Sequence, residues 1–333
     1  MDTKELAAVL SMMQHATGMS EPYNSILFEG DIIKTYNGST GIVLNYPTNI
    51  EGSIIADPLI KTLKNIRGKE LTIKKSKKTT SIISDKKESI KLSLNQDTSK
   101  FFPFEYDEEE DFEELPENFQ DALSLCSLTT GGPVLKDFVQ GVYFLGDEAV
   151  ATNDAAVARV QLDSDIGENI FVHNLSIGIL LRVVPIEIKI SGKNILFGCL
   201  DDMQIICPIY KEYNKFPYPY KKLLANFEDE YQLPKEFHYA VKKANSALYG
   251  SKKKQSHFRF SNKKLIVKSK NDNSGITLTD EISIKSNLKD EFYIDPELFS
   301  KLDFCNGFSV NDTSIKIMNE DLGVEVAIAK ILK

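Results

Sequence analysis

The residue types that most often carry chemistry in enzymes are scattered along this chain without a recognisable spacing. Cysteine and histidine could supply a nucleophile, a general base or zinc ligands, but here they form no C-x-x-C pair and no H-E-x-x-H motif. They are Cys126, Cys199, Cys207, Cys305, His15, His173, His238 and His257. Isolated cysteines of this kind are typical of buried free thiols. The sequence therefore predicts no metal site, no disulfide framework and no cofactor.

The acidic residues make no better case for catalysis. Asp201-Asp202 and Asp295 could act as acids or bases, but Asp295 lies in a turn that recurs along the chain. The sequence has neither a Gly-rich phosphate loop nor a G-x-S-x-G nucleophile motif. We therefore expect that the protein is not an enzyme.

The net charge of −8 is concentrated in one segment. Residues 105–114, EYDEEEDFEE, contain eight acids and no base. In contrast, residues 1–104 hold 14 Lys and Arg against 11 Asp and Glu, and residues 231–333 hold 17 against 13. Residues 115–230 are acidic, with 9 bases against 16 acids. Two basic thirds keep nucleic acid open as a partner, and the acidic tract is typical of a solvated linker.

One pattern occurs three times: an apolar strand, a turn residue, a short helix with large apolar residues four positions apart, and an alternating strand. The turn residues are Asp57, His173 and Asp295, which are 116 and 122 residues apart. A period of this size indicates repeated domains rather than a solenoid. A chain of 333 residues is long enough for two or three domains.

We therefore predict an α+β protein built from three copies of one module of helix, strands, helix and strands. The predicted segments are module 1 at residues 1–104, an acidic linker at 105–114, module 2 at 115–230 and module 3 at 231–333. Hairpin turns are expected at Gly30-Asp31 and Gly146-Asp147. The segment PIYKEYNKFPYPYKKLLANF is expected to be an extended connector, because residues before proline avoid helical conformations.

Targeting signals are not evident. No run of about 18 apolar residues occurs, and Asp2 and Glu5 lie where a signal peptide would be basic. We expect a soluble, cytoplasmic protein with no membrane partner.

Three segments resemble the bacterial β sliding clamp family. They are VYFLGDEAVATNDAAVARVQL in module 2, YPYKKLL at the boundary of modules 2 and 3, and FYIDPELFSKLDF with VNDTSIKIMNEDLGVEVAIAKIL in module 3. The resemblance extends over nearly the whole chain through the order and spacing of the three modules. It implies antiparallel sheets on the outside of a ring and helices on the inside.

The resemblance also implies a function. Two chains would join head to tail as a homodimer, encircle double-stranded DNA without reading its sequence, and hold a DNA polymerase on it. The polymerase, the clamp loader and repair proteins would dock through short peptide motifs. A closed ring removes free sheet edges, and a head-to-tail contact closes only if its rotation suits the ring.

Basic residues on matched helices would then face the DNA phosphates through nonspecific, salt-dependent contacts. They are Lys61, Lys64 and Arg67 on the second helix of module 1, Arg182 on its counterpart in module 2, Lys242 and Lys243 on the first helix of module 3, and Lys301 on its second. The alternative is that these lysines only solvate the surface. The first helix of module 2 has no Lys or Arg between Pro116 and Thr130, so a weakly basic channel is expected.

The resemblance also implies a peptide pocket between modules 2 and 3. Its residues would be Thr152, Asn153, Asp154, Val157, Pro219, Lys222, Leu223, Ile328 and Ala329. An apolar pocket with a few polar groups suits a peptide anchor. Alternatively, Val157, Leu223 and Ile328 are ordinary core residues. Asp154 and Ala155 depart from the basic and apolar residues of the family's pocket lip, so partner preference could differ.

Ring closure is expected where the edge strand SIKLSL meets the end of the first helix of module 3. The predicted contacts are Ile90, Leu92 and Leu94 with Ala247, Leu248 and Tyr249, and core packing is the alternative. The basic runs KKSKK at 74–78 and KKK at 252–254 are most simply interpreted as charges at hairpin tips. Alternatively, they could contact DNA.

A second function is compatible with the same fold. A clamp-fold protein could serve as a scaffold or regulator without encircling DNA, because fold does not fix function. The poor basicity of module 2 leaves that alternative open.

Overall fold

The computed structural model describes residues 1–75, 80–98, 101–105, 111–133 and 135–331. The α-helices of these residues are α1 (Thr3–Met13), α2 (Ala56–Lys64), α3 (Phe119–Ser127), α4 (Asn174–Val183), α5 (Tyr220–Ala225), α6 (Glu236–Ala247) and α7 (Pro296–Phe299). Short 3₁₀ turns cover Gln14–Ala16, Asp137–Val139 and Lys211–Tyr213.

The strands outnumber the helices, and every strand pair within the described residues is antiparallel. They are β1 (Ser25–Tyr36), β2 (Gly41–Ile55), β3 (Leu71–Lys75), β4 (Thr80–Ser84), β5 (Ser89–Leu92), β6 (Glu113–Glu114), β7 (Gly141–Leu145), β8 (Glu148–Thr152), β9 (Ala156–Gln161), β10 (Ile170–His173), β11 (Glu187–Ser191), β12 (Asn194–Gly198), β13 (Met203–Pro208), β14 (Tyr231–Gln232), β15 (Ser256–Ser261), β16 (Lys264–Asn271), β17 (Ile276–Ser283), β18 (Asp290–Ile294), β19 (Gly307–Val310), β20 (Ser314–Asn319) and β21 (Val324–Ala329). This α+β composition agrees with the predicted class.

The chain divides into two compact units. Unit 1 contains residues 1–120 and 175–211, and unit 2 contains residues 121–174 and 212–333. The predicted second module therefore contributes residues to both units. Its boundaries with modules 1 and 3 stay a prediction.

Unit 1 contains two sheets, the helices α1 and α2, and all of α4 except its first residue. Its six-stranded sheet has the order β1-β2-β13-β12-β11-β6, and a three-stranded sheet has the order β3-β4-β5. Strand β2 of the predicted first module pairs with β13 of the predicted second, so the sheet continues across that boundary. The apolar faces of α1 and α2 are buried, as their helical spacing predicts. Leu6 and Leu10 belong to the buried face of α1, and Leu63 belongs to that of α2.

Unit 2 also contains two sheets. An eight-stranded sheet has the order β10-β7-β8-β9-β21-β20-β19-β14, and a four-stranded sheet has the order β17-β16-β15-β18. Strand β21 pairs with β9, which joins the predicted second and third modules in one sheet. Buried aromatic rings fill the core beneath α6, where the ring centroids of Phe237 and Phe299 are 5.8 Å apart.

The strand–helix–strand pattern predicted from the sequence is found at all three turn residues, but the turn residues act differently. Asp295 caps α7 by accepting the backbone N–H of Glu297 at 2.9 Å. Asp57 instead lies in the first turn of α2 and pairs with Lys61 at 2.6 Å. His173 is the last residue of β10, directly before α4.

Two local predictions are wrong. Gly30-Asp31 does not turn the chain: β1 continues through it, and its pairing with β2 shifts register there, with Gly30 at a φ of +72°. The connector is not extended throughout, because Tyr220–Ala225 forms α5 with Tyr220 and Leu224 buried. Gly146, in contrast, forms the predicted hairpin turn between β7 and β8.

The ends of the acidic tract are attached to unit 1. Glu113–Glu114 forms β6, the edge strand that pairs with β11. Phe102, Phe104 and Phe112, which flank the acids, pack on a face of the six-stranded sheet. Residues 106–110 of the tract and residues 76–78 of the KKSKK run lie outside the described residues.

Gly141 permits the close approach of β7 and β10. A Cβ atom at this position would lie 2.4 Å from the carbonyl oxygen of Val172 and 2.5 Å from the ring of Phe171. We expect Gly141→Ala to lower the free energy of unfolding by about 1–3 kcal/mol, because the backbone oxygen has no room to move. Urea unfolding measures the change.

Gly178 provides the matched control for this substitution. It lies inside α4, and an added Cβ would have no neighbour within 4 Å. We expect Gly178→Ala to raise the free energy of unfolding by about 0.5–1 kcal/mol, since alanine favours the helix. Equal effects of the two substitutions would contradict the steric argument.

Candidate functional site

The basic residues predicted to face DNA lie on helices with two exceptions. Lys61 and Lys64 are on α2, Arg182 is on α4, and Lys242 and Lys243 are on α6. Arg67 and Lys301 were predicted on helices, but α2 ends at Lys64 and α7 ends at Phe299. Both side chains therefore project from the loops that follow these helices.

Most of these cations are paired with acids. Lys242 Nζ lies 2.5 Å from Asp303, Lys243 contacts Asp280, and Lys301 Nζ lies 3.6 Å from Glu297. Lys61 pairs with Asp57, and Arg67 with Glu88 at 3.2 Å. The hydrogen bond from Lys242 lowers the pKa of the Asp303 carboxyl, so this carboxylate stays ionised at neutral pH. Such pairs add little stability, but they neutralise cations that sequence reasoning counted as free.

Arg182 lies beside a histidine instead of an acid. Its Nη1 is 3.4 Å from Nδ1 of His15. Burial, followed by the positive charge of Arg182, lowers the pKa of His15. The imidazole is therefore neutral at pH 7, and Arg182 contributes the only charge of this pair.

The predicted pocket residues of module 2 form a tight hairpin tip between β8 and β9. Thr152 and Val157 are buried and directly paired, and Thr152 Oγ1 donates to the carbonyl oxygen of Ala156 at 2.8 Å. The side chain of Asn153 accepts the N–H groups of Ala155 and Ala156, which fixes the turn. Asp154 adopts a φ of +70° at the tip.

The C-terminal strand and the connector meet this hairpin. Ile328 is buried opposite Ala156, whereas Ala329 is exposed. Val157 belongs to an apolar cluster with Tyr220 and Leu224 of α5. The structure thus brings the three predicted segments together within unit 2.

The connector also closes over the hairpin tip. Tyr218 Oη donates to Asp154 at 2.5 Å, and this hydrogen bond raises the pKa of the Tyr218 hydroxyl. Pro219 precedes α5, on which Lys222 and Leu223 are exposed. Buried Val157 and Ile328 fit the core-packing alternative, while Leu223 and Ala329 remain available for a partner.

Sequence reasoning missed the charged residue that holds the connector in place. Glu148 is buried, with a side chain only 6% exposed, and it pairs with Arg159 at 3.1 Å and Lys221 at 2.8 Å. It also accepts the hydroxyl of Tyr220 at 2.5 Å. Burial raises the pKa of Glu148, but the hydrogen bonds from Lys221 and Tyr220 outweigh it and leave the pKa below its usual value. All five residues of β8 are buried and its sequence EAVAT does not alternate, so no local pattern indicated that Glu148 is buried.

A groove of about 530 Å³ lies beside the same C-terminal segment. It runs along strand β18 and is lined by charged residues of both signs as well as by Phe292, Tyr293 and Ile331. The charged lining residues are Lys289, Asp290, Glu291, Asp312 and Lys330. Lys330 Nζ pairs with Asp290 at 2.7 Å. No feature of the sequence indicated this groove.

The residues predicted to close a ring differ in exposure. Leu92 and Leu248 are buried within their own units, and Leu248 is only 1% exposed, which fits the core-packing alternative. Ala247 is nearly buried, and Ile90 and Leu94 are partly exposed. Tyr249 is 90% exposed, so it is the member of this set most available to another chain.

The four cysteines are free and buried. Burial raises the pKa of Cys207 to about 11 and the pKa values of Cys199 and Cys305 to about 12. It also raises the pKa of Cys126. Thiols with such pKa values are not reactive nucleophiles at neutral pH. No group of His, Cys, Asp and Glu suited to a metal ion occurs in the described part of the chain.

The fold is that of the bacterial DNA polymerase sliding clamps, matched over the whole chain. No protein-family model and no curated protein sequence matches this chain. No helix among the described residues is long and apolar enough to span a membrane.

Three solved structures illustrate the similarity. The DNA polymerase sliding clamp of Pseudomonas aeruginosa is 13% identical with a TM-score of 0.85, and the match covers 100% of this chain and 99% of that one. The β subunit of DNA polymerase from Streptococcus pyogenes matches with 13% identity, a TM-score of 0.84 and the same coverage. The Caulobacter crescentus sliding clamp matches with 13% identity and a TM-score of 0.83, over 100% and 99% of the two chains.

Proposed function

We propose that this protein is a sliding clamp that encircles duplex DNA as a head-to-tail ring of two chains and tethers a replicative DNA polymerase. The observation that carries the proposal is the full-length match, which includes 100% of this chain and 99% of the P. aeruginosa clamp. A protein with this role acts by topology and binding, and it needs no catalytic residues.

Sheet edges in each unit support ring closure. Strand β5 is one edge of the three-stranded sheet of unit 1, and β17 is one edge of the four-stranded sheet of unit 2. Most of β17 is exposed, including Ile276. Edges of this kind invite pairing with another chain. A head-to-tail contact between two copies would cover both edges, and two such contacts would close the ring.

Peptide docking is proposed at the C-terminal segment of unit 2. The hairpin tip at Asp154, the exposed Leu223 of α5 and the groove beside Lys330 surround the end of β21. Apolar patches with convergent polar groups suit short peptides, so the polymerase and the clamp loader are proposed to bind here. The mixed charges of the groove favour a peptide that carries both signs of charge.

The experiment that tests the function measures the mass of the protein in solution and its retention on circular and on linear DNA. Light scattering gives the mass in solution, where a dimer is expected. The ring is then opened by dilution and reclosed by concentration with nicked circular plasmid or with the same plasmid linearised, so that no loader is needed. Gel filtration at rising salt should leave protein on circles after it has run off linear DNA, because ordinary phosphate binding weakens equally on both.

The ion pairs of Lys242, Lys243 and Lys301 favour one alternative, a clamp-fold scaffold or regulator that does not encircle DNA. A monomer in solution, or equal loss from circular and linear DNA, would support that alternative and overturn the clamp proposal.

A further inference from the structure

A groove of about 730 Å³ lies in unit 1 between the beginning of α1 and the end of α2. Four basic side chains line it, whereas Asp2 is its single acidic lining residue. The basic residues are Lys4, Lys64, Arg67 and Lys69. Of these, Lys4 and Lys69 had no predicted role. The groove therefore concentrates positive charge at one place on the surface of unit 1.

Three of these cations have no acid within ion-pair distance, although the charge of Lys4 still contributes to the lowered pKa of Asp2. Lys4, Lys64 and Lys69 form no ion pair with any described residue. Arg67 pairs with Glu88, but its side chain is 86% exposed. In unit 2, by comparison, Lys242 and Lys243 each contact a carboxylate.

The acids nearest the groove are already engaged by the backbone. The Asp2 carboxylate accepts the N–H groups of Lys4 and Glu5 at 2.7 and 2.9 Å, and these bonds lower its pKa. Asp85 accepts the N–H of Lys69 at 3.0 Å. These carboxylates stabilise the backbone that carries the lysines, and no lysine of the groove is held in an ion pair that an external anion would have to break.

The remaining lining is small or apolar, with Ala7, Ala8 and Leu63 among its residues. Thr3 also lines the groove, and its buried hydroxyl hydrogen-bonds to no described group. Amide side chains that could read base edges are absent from this lining. Flexible lysines around an open groove instead suit a phosphodiester backbone, which they bind as mobile point charges.

We propose that the α1–α2 groove is the principal phosphate-binding site of each chain, and that it holds the backbone of duplex DNA through Lys4, Lys64 and Lys69. The inference rests on the proposed function, in which DNA passes the helices. The alternative would be that all helices contact the DNA phosphates equally. We do not expect this, because the lysines of α6 are already paired with acids.

The test measures the affinity for a short, blunt linear duplex by fluorescence anisotropy over a range of salt. A short linear duplex reports direct phosphate contacts without topology. Loss of three contacts is expected to reduce the slope of log K against log salt by about 2–3, and to weaken binding at low salt by about tenfold or more. The variant is K4A/K64A/K69A.

Two matched variants define the comparison. K193A/K215A/K285A removes the same charge from exposed lysines outside the groove, so its slope should match the wild type. K4R/K64R/K69R keeps the charge in the groove and should keep the slope. Circular dichroism verifies that each variant is folded.

An unchanged slope in K4A/K64A/K69A, or an equal loss in K193A/K215A/K285A, would overturn the proposal. A larger loss in K242A/K243A would also overturn it, because α6 would then carry the contacts. The proposed ring is judged separately: retention on circles at high salt should survive in K4A/K64A/K69A. If wild type shows no such retention but the groove variant loses its salt slope, the ring fails and the groove stands.

Discussion

Replacing Glu148 with glutamine is expected to lower the free energy of unfolding by about 2 kcal/mol, since the neutral amide loses the charge-assisted hydrogen bonds that the carboxylate makes with Arg159, Lys221 and Tyr220. Arg159 lies 3.1 Å away and is itself mostly buried, with Glu325 as its other acidic partner. Tyr220 would keep its hydroxyl beside a neutral amide. Urea unfolding at neutral pH measures the loss.

The effect of Glu148 should depend on pH. Its pKa in the folded protein lies below the ordinary value of 4.5, so folding favours the ionised carboxylate. A depressed pKa contributes stability above the unfolded pKa, and this contribution is lost as the pH falls through the folded pKa. The difference between wild type and Glu148→Gln is therefore expected to be full at pH 7 and to shrink below pH 4.5.

An exposed ion pair serves as the control. Glu281 contacts Lys264, and both side chains are about half exposed. Glu281→Gln should change the free energy of unfolding by less than about 1 kcal/mol, as exposed pairs usually do. If Glu148→Gln were no more destabilising than Glu281→Gln, the carboxylate would not hold the connector on the sheet.

The connector gives Glu148 a second, functional readout. Tyr220 and Lys221, which contact Glu148, belong to the same helix as Lys222 and Leu223. Loss of these contacts should increase cleavage of residues 212–230 by a protease in native buffer. A structural defect elsewhere in the unit would not concentrate cleavage in that segment.

The repeated element was predictable because its signals are local. Asp295 followed by proline begins a helix through a cap and a fixed φ, and both requirements act within a few residues. The apolar residues of β20 and β21 likewise indicate strands, and both faces of these strands are largely buried. These features could be identified in one sequence without a homologue.

Gly30-Asp31 shows the limit of the same local reasoning. A glycine with positive φ suits a hairpin turn and a β-bulge equally well. The choice depends on the long pairing of β1 with β2, in which residues 25–30 and 32–36 are matched on either side of a register shift. A tertiary partner decided this conformation, so the dipeptide alone could not.

The electrostatics of the candidate site could not be predicted for a similar reason. Lys242 and Asp303 are 61 residues apart, and their hydrogen bond exists only because α6 packs beside the loop after α7. A count of charges along the sequence treats Lys242 as free. The groove at Lys4 and Lys69 escaped notice because its residues come from two helices and a loop.

Replacing Tyr249 with alanine is expected to weaken the proposed dimer about thirtyfold, which corresponds to about 2 kcal/mol of binding free energy for a central tyrosine. Its ring is 90% exposed, whereas its backbone is fixed: Asn271 Nδ2 donates to the carbonyl oxygens of Ala247 and Tyr249 at 3.1 and 2.9 Å. A rigid backbone that presents an exposed aromatic ring reduces the entropy lost on association.

Sedimentation equilibrium over a dilution series measures the dimer dissociation constant of each variant. Tyr239→Ala is the matched control, because Tyr239 is an exposed tyrosine on α6 whose ring already contacts Lys243. Both substitutions truncate an exposed tyrosine, 67% exposed at Tyr239 and 90% at Tyr249, so general effects on solubility or folding should be similar. A dimer weakened only by Tyr249→Ala would place the contact at the end of α6 beside the edge strand β17.

An unchanged dimer dissociation constant in Tyr249→Ala would also identify where the two chains meet. If Tyr249→Ala and Tyr239→Ala dimerise like wild type, the exposed end of α6 does not contribute to the contact, and an interface would have to form through the backbone edges of β5 and β17. Backbone pairing is insensitive to side-chain truncation but is blocked by charge on the paired edge. Ile90→Glu on β5 would then be the variant that dissociates the dimer, because it places a carboxylate on that edge and leaves Tyr249 intact.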